Sequence, residues 1–313
     1  MRIFKFIIII ALLLGAASPQ QAHAAVADSQ EDICGDAAVV WCDNFEDRTV
    51  NLNTDLWRTK YKNYGWGVSN FNCVGVSCSS VVTAPSGTPA YLGSKVLRMV
   101  TPVGFSSGGF FDAGFNGTRN EIYFRKYTMW CGTSVCADDY IWSPIATKGI
   151  SFETQAGTNS ALWWFDAGQS AIPKQFWYFT SGATCGTYIR CQNANLPAQS
   201  VNLNQWYCLE LRVKMNTGTG NADGIMEGWI DGVKKFDFQN EAIETSAYPN
   251  GITGVGVYSY WNCQNESDCT GTGEVHPEIY RFEDNMVAST ARIGCLSGSA
   301  PAAPTNFKAA NPT

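Results

Sequence analysis

Arg119, Glu121, Tyr123, Arg125 and Tyr127 alternate with Ile122 and Phe124 in the stretch RNEIYFRKYTMW. Tyrosine rings stack on pyranose faces, and guanidinium groups bind hydroxyls and carboxylates in pairs, so such a row suits a sugar. A solvated strand with cross-strand tyrosine pairs would carry the same pattern. Tyr258 and Tyr260 repeat it in GVGVYSYWN. Trp163, Trp164 and Trp177 supply aromatic surface that serves a core as readily as a ligand; Trp164 and His276 are kept as candidate sugar contacts. In WYCLELRVKM a second charged row, Glu210, Arg212 and Lys214, alternates with Leu209, Leu211, Val213 and Met215. Either a catalytic surface or the wet back of a sheet would read this way.

Other chemistries are poorly provided for. The G-x-S-x-G elbow is absent, and beyond the first 24 residues His276 is the single imidazole that could serve a nucleophile. No phosphate loop or dinucleotide fingerprint occurs. Paired carboxylates for glycoside hydrolysis find one counterpart, Glu266-Ser267-Asp268, in a Gly- and Thr-rich loop that would hold them loosely.

The chain opens with Arg2 and Lys5, continues through IIIIALLLGAA and reaches Ala22-His23-Ala24. This is the form of a secretory signal peptide over residues 1–24, too short for a spanning helix with a stop-transfer flank. Its removal leaves 19 basic against 27 acidic residues, a net −8. That charge argues against nucleic acid, and an acidic polysaccharide would need a local basic cleft. No later segment is apolar enough to span a membrane, so export, to the extracellular space, periplasm or cell surface, is the expected location.

Twelve cysteines in an exported chain read as disulfides. The simplest pairing joins near neighbours: Cys34 with Cys42, Cys73 with Cys78, Cys131 with Cys136, Cys185 with Cys191 and Cys263 with Cys269, leaving Cys208 for Cys295. Zinc is disfavoured by the lack of C-x-x-C pairs.

The elements that must position these residues are short runs rich in Val, Ile, Tyr, Phe, Trp and Thr between Gly, Asn, Ser and Pro clusters. They include AVVWCDNFED, KVLRMVTPV, KGISFETQ, SALWWFD, QFWYFTSG, GIMEGWIDG, VKKFDF and EIYRFEDNMVA, besides the stretches quoted above. The Asp231-Gly232 pair is a hairpin signal. Their number and spacing predict an all-β, two-sheet antiparallel sandwich of jelly-roll type over residues 25–295. Residues 296–313, rich in Ala, Pro and Ser, read as a linker or tail.

WYCLELRVKMNTGTGNADGIMEGWIDG resembles a W-x-x-x-E-x-x-V-K-x-N-T … D-G-x-x-x-x-W-x-D-G signature found in jelly-roll polysaccharide lyases that cleave alginate and glucuronan. More broadly it is similar to concanavalin A-like and laminin-G-like sandwiches. DNFEDRTVNLNTDLW and RFEDNMVASTARIG resemble the first and last strands of that superfamily, so the likeness spans residues 40–294. It implies that the signature hairpin lies in a back sheet with Glu210, Arg212 and Lys214 solvated, and that chemistry belongs to the other sheet.

Carried over residue by residue, the resemblance sets the lyase lysine at Lys148 in ATKGISFE. The Y-x-Y pair falls on Phe176-Trp177-Tyr178 and leaves Tyr178 to move the proton. Leucine at 162 stands where the family has arginine, which leaves Arg125 or Arg119 to help neutralise a uronate. No cofactor is required, but such sandwiches imply a candidate structural calcium near Asp43, Glu46 and Asp284. Two functions are therefore expected: a secreted, monomeric lyase acting on a uronate-containing polysaccharide, or a non-catalytic carbohydrate-binding or adhesion module. A glycoside hydrolase stands behind both.

Overall fold

The structure is a computed structural model that describes residues 32–46, 79–84, 91, 93–101, 107–130, 147–154, 161–167, 180–181, 204–218, 221–241, 243, 251–261 and 279–296. Residues 1–31 and 297–313, which include the expected leader and nearly all of the expected tail, lie outside the described residues. A single 3-10 turn, Asp32–Gly35, precedes the strands. In chain order these are β1 Val39–Asp43, β2 Ser79–Thr83, β3 Lys95–Thr101, β4 Ser107–Arg119, β5 Glu121–Trp130, β6 Thr147–Thr154 and β7 Ala161–Ala167. There follow β8 Thr180–Ser181, β9 Trp206–Lys214, β10 Gly224–Ile230, β11 Val233–Glu241, β12 Ile252–Trp261 and β13 Ile279–Ser289.

Two antiparallel sheets form. The eight-stranded sheet runs β11-β10-β9-β5-β13-β3-β2, with β1 paired to the later half of β13, and the five-stranded sheet runs β4-β12-β6-β7-β8. Alternation decides their apposition. Ile122, Phe124, Leu209, Leu211 and Val213 from the larger sheet and Ala113, Ile150, Phe152, Val255 and Val257 from the smaller belong to one buried cluster. Fully burying each such aliphatic or phenyl side chain contributes about 1.5–3 kcal/mol. This is the two-sheet jelly-roll sandwich that the strand pattern predicts. Among the described residues, no helix is long and apolar enough to cross a membrane.

The signature hairpin shows why its residues are spaced as they are. Asp231 and Gly232 adopt φ of 49° and 77°, the left-handed geometry of a two-residue turn. Ile230 then pairs with Val233. The Asp231 carboxylate accepts a 2.9 Å hydrogen bond from the Cys208 amide, while the Asp231 amide donates to the Cys208 carbonyl at 2.8 Å. The aspartate thus closes the turn and ties it to β9.

A second tie joins β1 to the β2–β3 hairpin. The Glu46 carboxylate accepts from the amides of Ser94 and Lys95 at 2.7 and 2.5 Å, and Lys95 Nζ donates to the Glu46 carbonyl at 2.6 Å. Gly93 has φ of +79°, and a Cβ there would lie 2.4 Å from the Glu46 carboxyl carbon. Glu46→Ala is expected to cost about 1–3 kcal/mol by removing hydrogen bonds to a charged acceptor. Gly93→Val should cost at least as much, because it adds backbone strain to the same loss. Urea unfolding of both variants checks this; two wild-type midpoints would refute it.

Candidate functional site

The five-stranded sheet holds Lys148, Trp164, Tyr258 and Tyr260, and the ladders of β12 with β4 and β6 shift register between Ile252 and Gly254 and again at the opposite end. Between Val257↔Ile150 and Tyr260↔Lys148, β12 advances three residues while β6 advances two. Between Tyr258↔Phe110 and Tyr260↔Ser107, β4 has the extra residue. Against β7 the register shifts on both sides of the pair Lys148↔Phe165. Three adjacent ladders therefore break together around Lys148, Tyr258 and Tyr260. Bulges of this kind gather where a sheet must re-aim a side chain or end its pairing. The breaks bring Tyr260 directly across from Lys148. Trp164 stands across from Ile150, a residue of the core.

Tyr178 and His276 lie outside the described residues. Arg119 is in the same sheet but at its other end, paired with Ile252 while Lys148 pairs with Tyr260. Eight residues of β12 separate the two positions, roughly 26 Å at about 3.3 Å per residue.

Arg125, Tyr123 and Tyr127 belong to β5 in the other sheet. Phe124 turns into the core, so this row lies on the face directed away from the five-stranded sheet. Arg125 is buried there, donating to the carbonyls of Asn285 at 3.2 Å and Gly294 at 3.4 Å. The Tyr127 hydroxyl accepts from the Leu296 amide at 2.6 Å, and its ring stacks on Tyr91 with centroids 3.6 Å apart. Burial pushes that hydroxyl well above the ordinary tyrosine range. Tyr123 keeps partial exposure, but the Arg212 guanidinium lies over its ring, 5.4 Å from the centroid. The sandwich thus separates Arg125 from Lys148.

What the Arg125 row grips is the segment after β13. The Glu210 carboxylate accepts from the amides of Ile293 and Gly294 at 2.8 and 3.2 Å, Arg292 approaches it at 3.7 Å, and Cys295 is bonded to Cys208. Glu210 is 0% exposed, so the charged row on β9 is not uniformly wet. Its carboxylate satisfies backbone donors that no neighbouring strand reaches. The second disulfide among the described residues, Cys34–Cys42, also has the expected pairing. The other four expected couples lie outside these residues.

Arg212 departs from the wet-row expectation as well. It bridges Glu121 at 2.7 Å and Glu227 at 2.6 Å, and Glu227 is also bound by Lys234. Burial works to raise the Glu227 carboxyl, but hydrogen bonds from Lys234 and Arg212 outweigh it and hold the group below its ordinary value. A carboxyl lowered in the fold adds stability above its unfolded pKa and loses it as pH falls through the folded one. Arg212→Ala should therefore cost about 1–2 kcal/mol at neutral pH, and the gap from wild type should narrow in acid. Urea titrations at neutral and acidic pH would show a constant gap if the bridge were idle.

The calcium expectation does not match the geometry. Among the described residues, no three His, Cys, Asp or Glu side chains group as metal ligands. Asp43 accepts from the Phe45 amide at 2.8 Å, Asp284 from the Asn285 amide at 2.8 Å, and Glu46 is committed to the hairpin of residues 93–95. An ammonium, that of Lys95, already sits on the Glu46 carbonyl. The three acids do not fit a shared cation.

No protein-family model matches this sequence, and no curated protein matches it either. Solved structures do match in shape. An alginate lyase in complex with alginate tetrasaccharide aligns at 15% identity and a TM-score of 0.57, covering 81% of this chain and 98% of that one. A marine alginate lyase from Aplysia kurodai aligns at 11% identity and a TM-score of 0.53, covering 82% and 100%. At such identities the likeness establishes the shared fold.

Proposed function

We propose that the chain is a secreted polysaccharide-active protein whose site is the Lys148–Tyr260 end of the five-stranded sheet. Its reaction is β-elimination on a uronate-containing polysaccharide. One observation carries this reading: the register breaks of three ladders converge on a lysine and two tyrosines, the residue types that the reaction needs. Lys148 neutralises the uronate carboxylate, which makes the C5 proton removable. A tyrosine, assigned to Tyr178, takes that proton as phenolate and returns it to the O4 leaving group. The C4–O4 bond breaks, C4 and C5 become doubly bonded, and no water is consumed. Tyr258 and Tyr260 supply stacking surface for the sugar.

A binding module is the second reading, and the scarcity of cations favours it. Among the described strands of this sheet, Lys148 and the distant Arg119 are the only basic residues. The deciding experiment is a screen of alginate, glucuronan and related uronans for the ultraviolet absorbance of an unsaturated product, with affinity electrophoresis on the same sugars. Lys148→Ala should lower turnover by about 100-fold and also weaken binding, because the charge acts on both the bound substrate and the enolate-like transition state. Binding without cleavage throughout would end the lyase reading and leave the module.

A further inference from the structure

The face of the eight-stranded sheet turned away from the five-stranded sheet carries aromatic rings and cations that the proposed reaction does not use. Register sets them in two adjacent rows. Trp229 pairs with Lys234 on one side and Glu210 on the other, while Arg212 pairs with Glu227 and Tyr123. Met226 and Ile230 of β10 belong to the core between the sheets, so Glu227 and Trp229 take the outer face. The Trp229 and Tyr123 rings meet there, with centroids 6.3 Å apart.

Three cations lie over these rings. The Arg292 guanidinium is 4.7 Å and Lys234 Nζ 5.4 Å from the Trp229 centroid, and Arg212 is 5.4 Å from that of Tyr123. They differ in what they have left to bind. Arg212 commits its donors to Glu121 and Glu227, and Lys234 to Glu227 and Asp237. Arg292 comes no closer than 3.7 Å to the Glu210 carboxylate, whose oxygens already accept from the Ile293 and Gly294 amides. Among the described residues its guanidinium makes no hydrogen bond, and its side chain is 50% exposed. Its place over Trp229 is set instead by the residues that follow it, which Glu210 and the Cys208–Cys295 disulfide clamp to β9. A guanidinium drawn to an indole by cation–π attraction keeps its N–H groups for an acceptor, and a carboxylate takes two of them at once.

We propose that Arg292, seated on Trp229 and flanked by Tyr123, is a second saccharide site that takes a uronate residue of the polysaccharide. Arg292 binds the sugar's carboxylate, and the exposed part of Tyr123 packs against its ring. Trp229 is itself buried, so it holds the guanidinium and is not a platform for the sugar. The choice of a uronate as ligand rests on the function proposed above. The sandwich stands between this site and the Lys148–Tyr260 end, so the site takes no part in the chemistry. Its work is retention: a polyuronate repeats its carboxylate along the chain, and a polymer held on one face is kept at high local concentration for the other.

The test removes the two sites in turn. Affinity electrophoresis in alginate and in glucuronan gels compares wild type, Lys148→Ala, Arg292→Gln and the double variant, and is repeated with the carboxyl-reduced polymers. Lys148→Ala should still be retained by an acidic polymer. Adding Arg292→Gln should lower its association constant by about tenfold or more, and should change nothing in the carboxyl-reduced gels. Arg292→Lys, which keeps the charge without the paired donors, should recover only part of the loss. Tyr123→Ala leaves the segment at 292–296 unaltered and should weaken retention by about fivefold, so it tests the site even if Arg292→Gln proves unstable. Acidic-polymer retention that neither Arg292→Gln nor Tyr123→Ala lowers in the Lys148→Ala background, or that Lys148→Ala alone abolishes, would overturn this site and leave the proposed function in place. Wild-type protein that neither binds nor cleaves any uronan would overturn the function and the site together.

Discussion

Glu283→Ala is expected to destabilise the protein by about 3–5 kcal/mol, the usual result of leaving buried charge without its partner. Lys126 and Arg281 would keep their positions in the core, 3.0 and 2.6 Å from a carboxylate oxygen no longer present. The loss is comparable with a large part of a domain's net stability, so a lower melting temperature and poor recovery after unfolding should accompany it. Replacing all three together, as Lys126→Met, Arg281→Met and Glu283→Leu, should recover much of the loss, because apolar groups of similar volume need no compensating charge. Urea unfolding without reductant measures all three proteins. A loss below about 1 kcal/mol in Glu283→Ala would mean that water or another group replaces the carboxylate.

That buried triad was half legible in the sequence. In RNEIYFRKYTMW the lysine at 126 falls on the apolar phase with Ile122 and Phe124, a conflict that alternation alone exposes. Its partner could not be found the same way, since Glu283 lies 157 residues further on and meets it only through the pairing of β5 with β13. Arg125 shows the opposite limit. Its phase was read correctly as facing away from Phe124, but phase says nothing about which sheet the strand joins or what covers that face. The cover is the segment at 293–296, whose amides and carbonyl claim Glu210, Tyr127 and Arg125.

The fold itself was written mainly in alternation and turn chemistry, which are local. Strands β9, β10 and β11 follow their apolar phase and the Asp231-Gly232 turn. Two strands escaped that reading. β4, SGGFFDAGFNGTR, is rich in glycine, which strands ordinarily disfavour, and is held by its pairing with β12. β2, SSVVT, is short and, among the described residues, lies at an edge paired with β3 alone. Lys148, Tyr258 and Tyr260, at the proposed site, were singled out by residue type. Their register breaks were not, because a bulge is a relation between strands and leaves no fixed mark in either one.

Tyr178→Phe should lower turnover on a uronan by about 100-fold or more while leaving substrate affinity nearly unchanged. The ring remains, so any stacking survives, and only the hydroxyl that carries the proton is lost. Tyr260→Phe serves as its counterpart. In the proposed function Tyr260, which pairs with Lys148 in the ladder, stacks on the sugar. Phenylalanine there should turn over nearly as well as tyrosine, whereas Tyr260→Ala should weaken binding by removing the stacking surface. Measuring kcat and KM for the three variants separates the roles, because proton transfer acts on kcat and stacking acts on both bound states. The reverse pattern, with Tyr260→Phe inactive and Tyr178→Phe unimpaired, would move the proton to Tyr260. It would also give the register break a direct chemical purpose, since the extra residue in β12 would then be what sets the base across from the lysine that makes the C5 proton acidic.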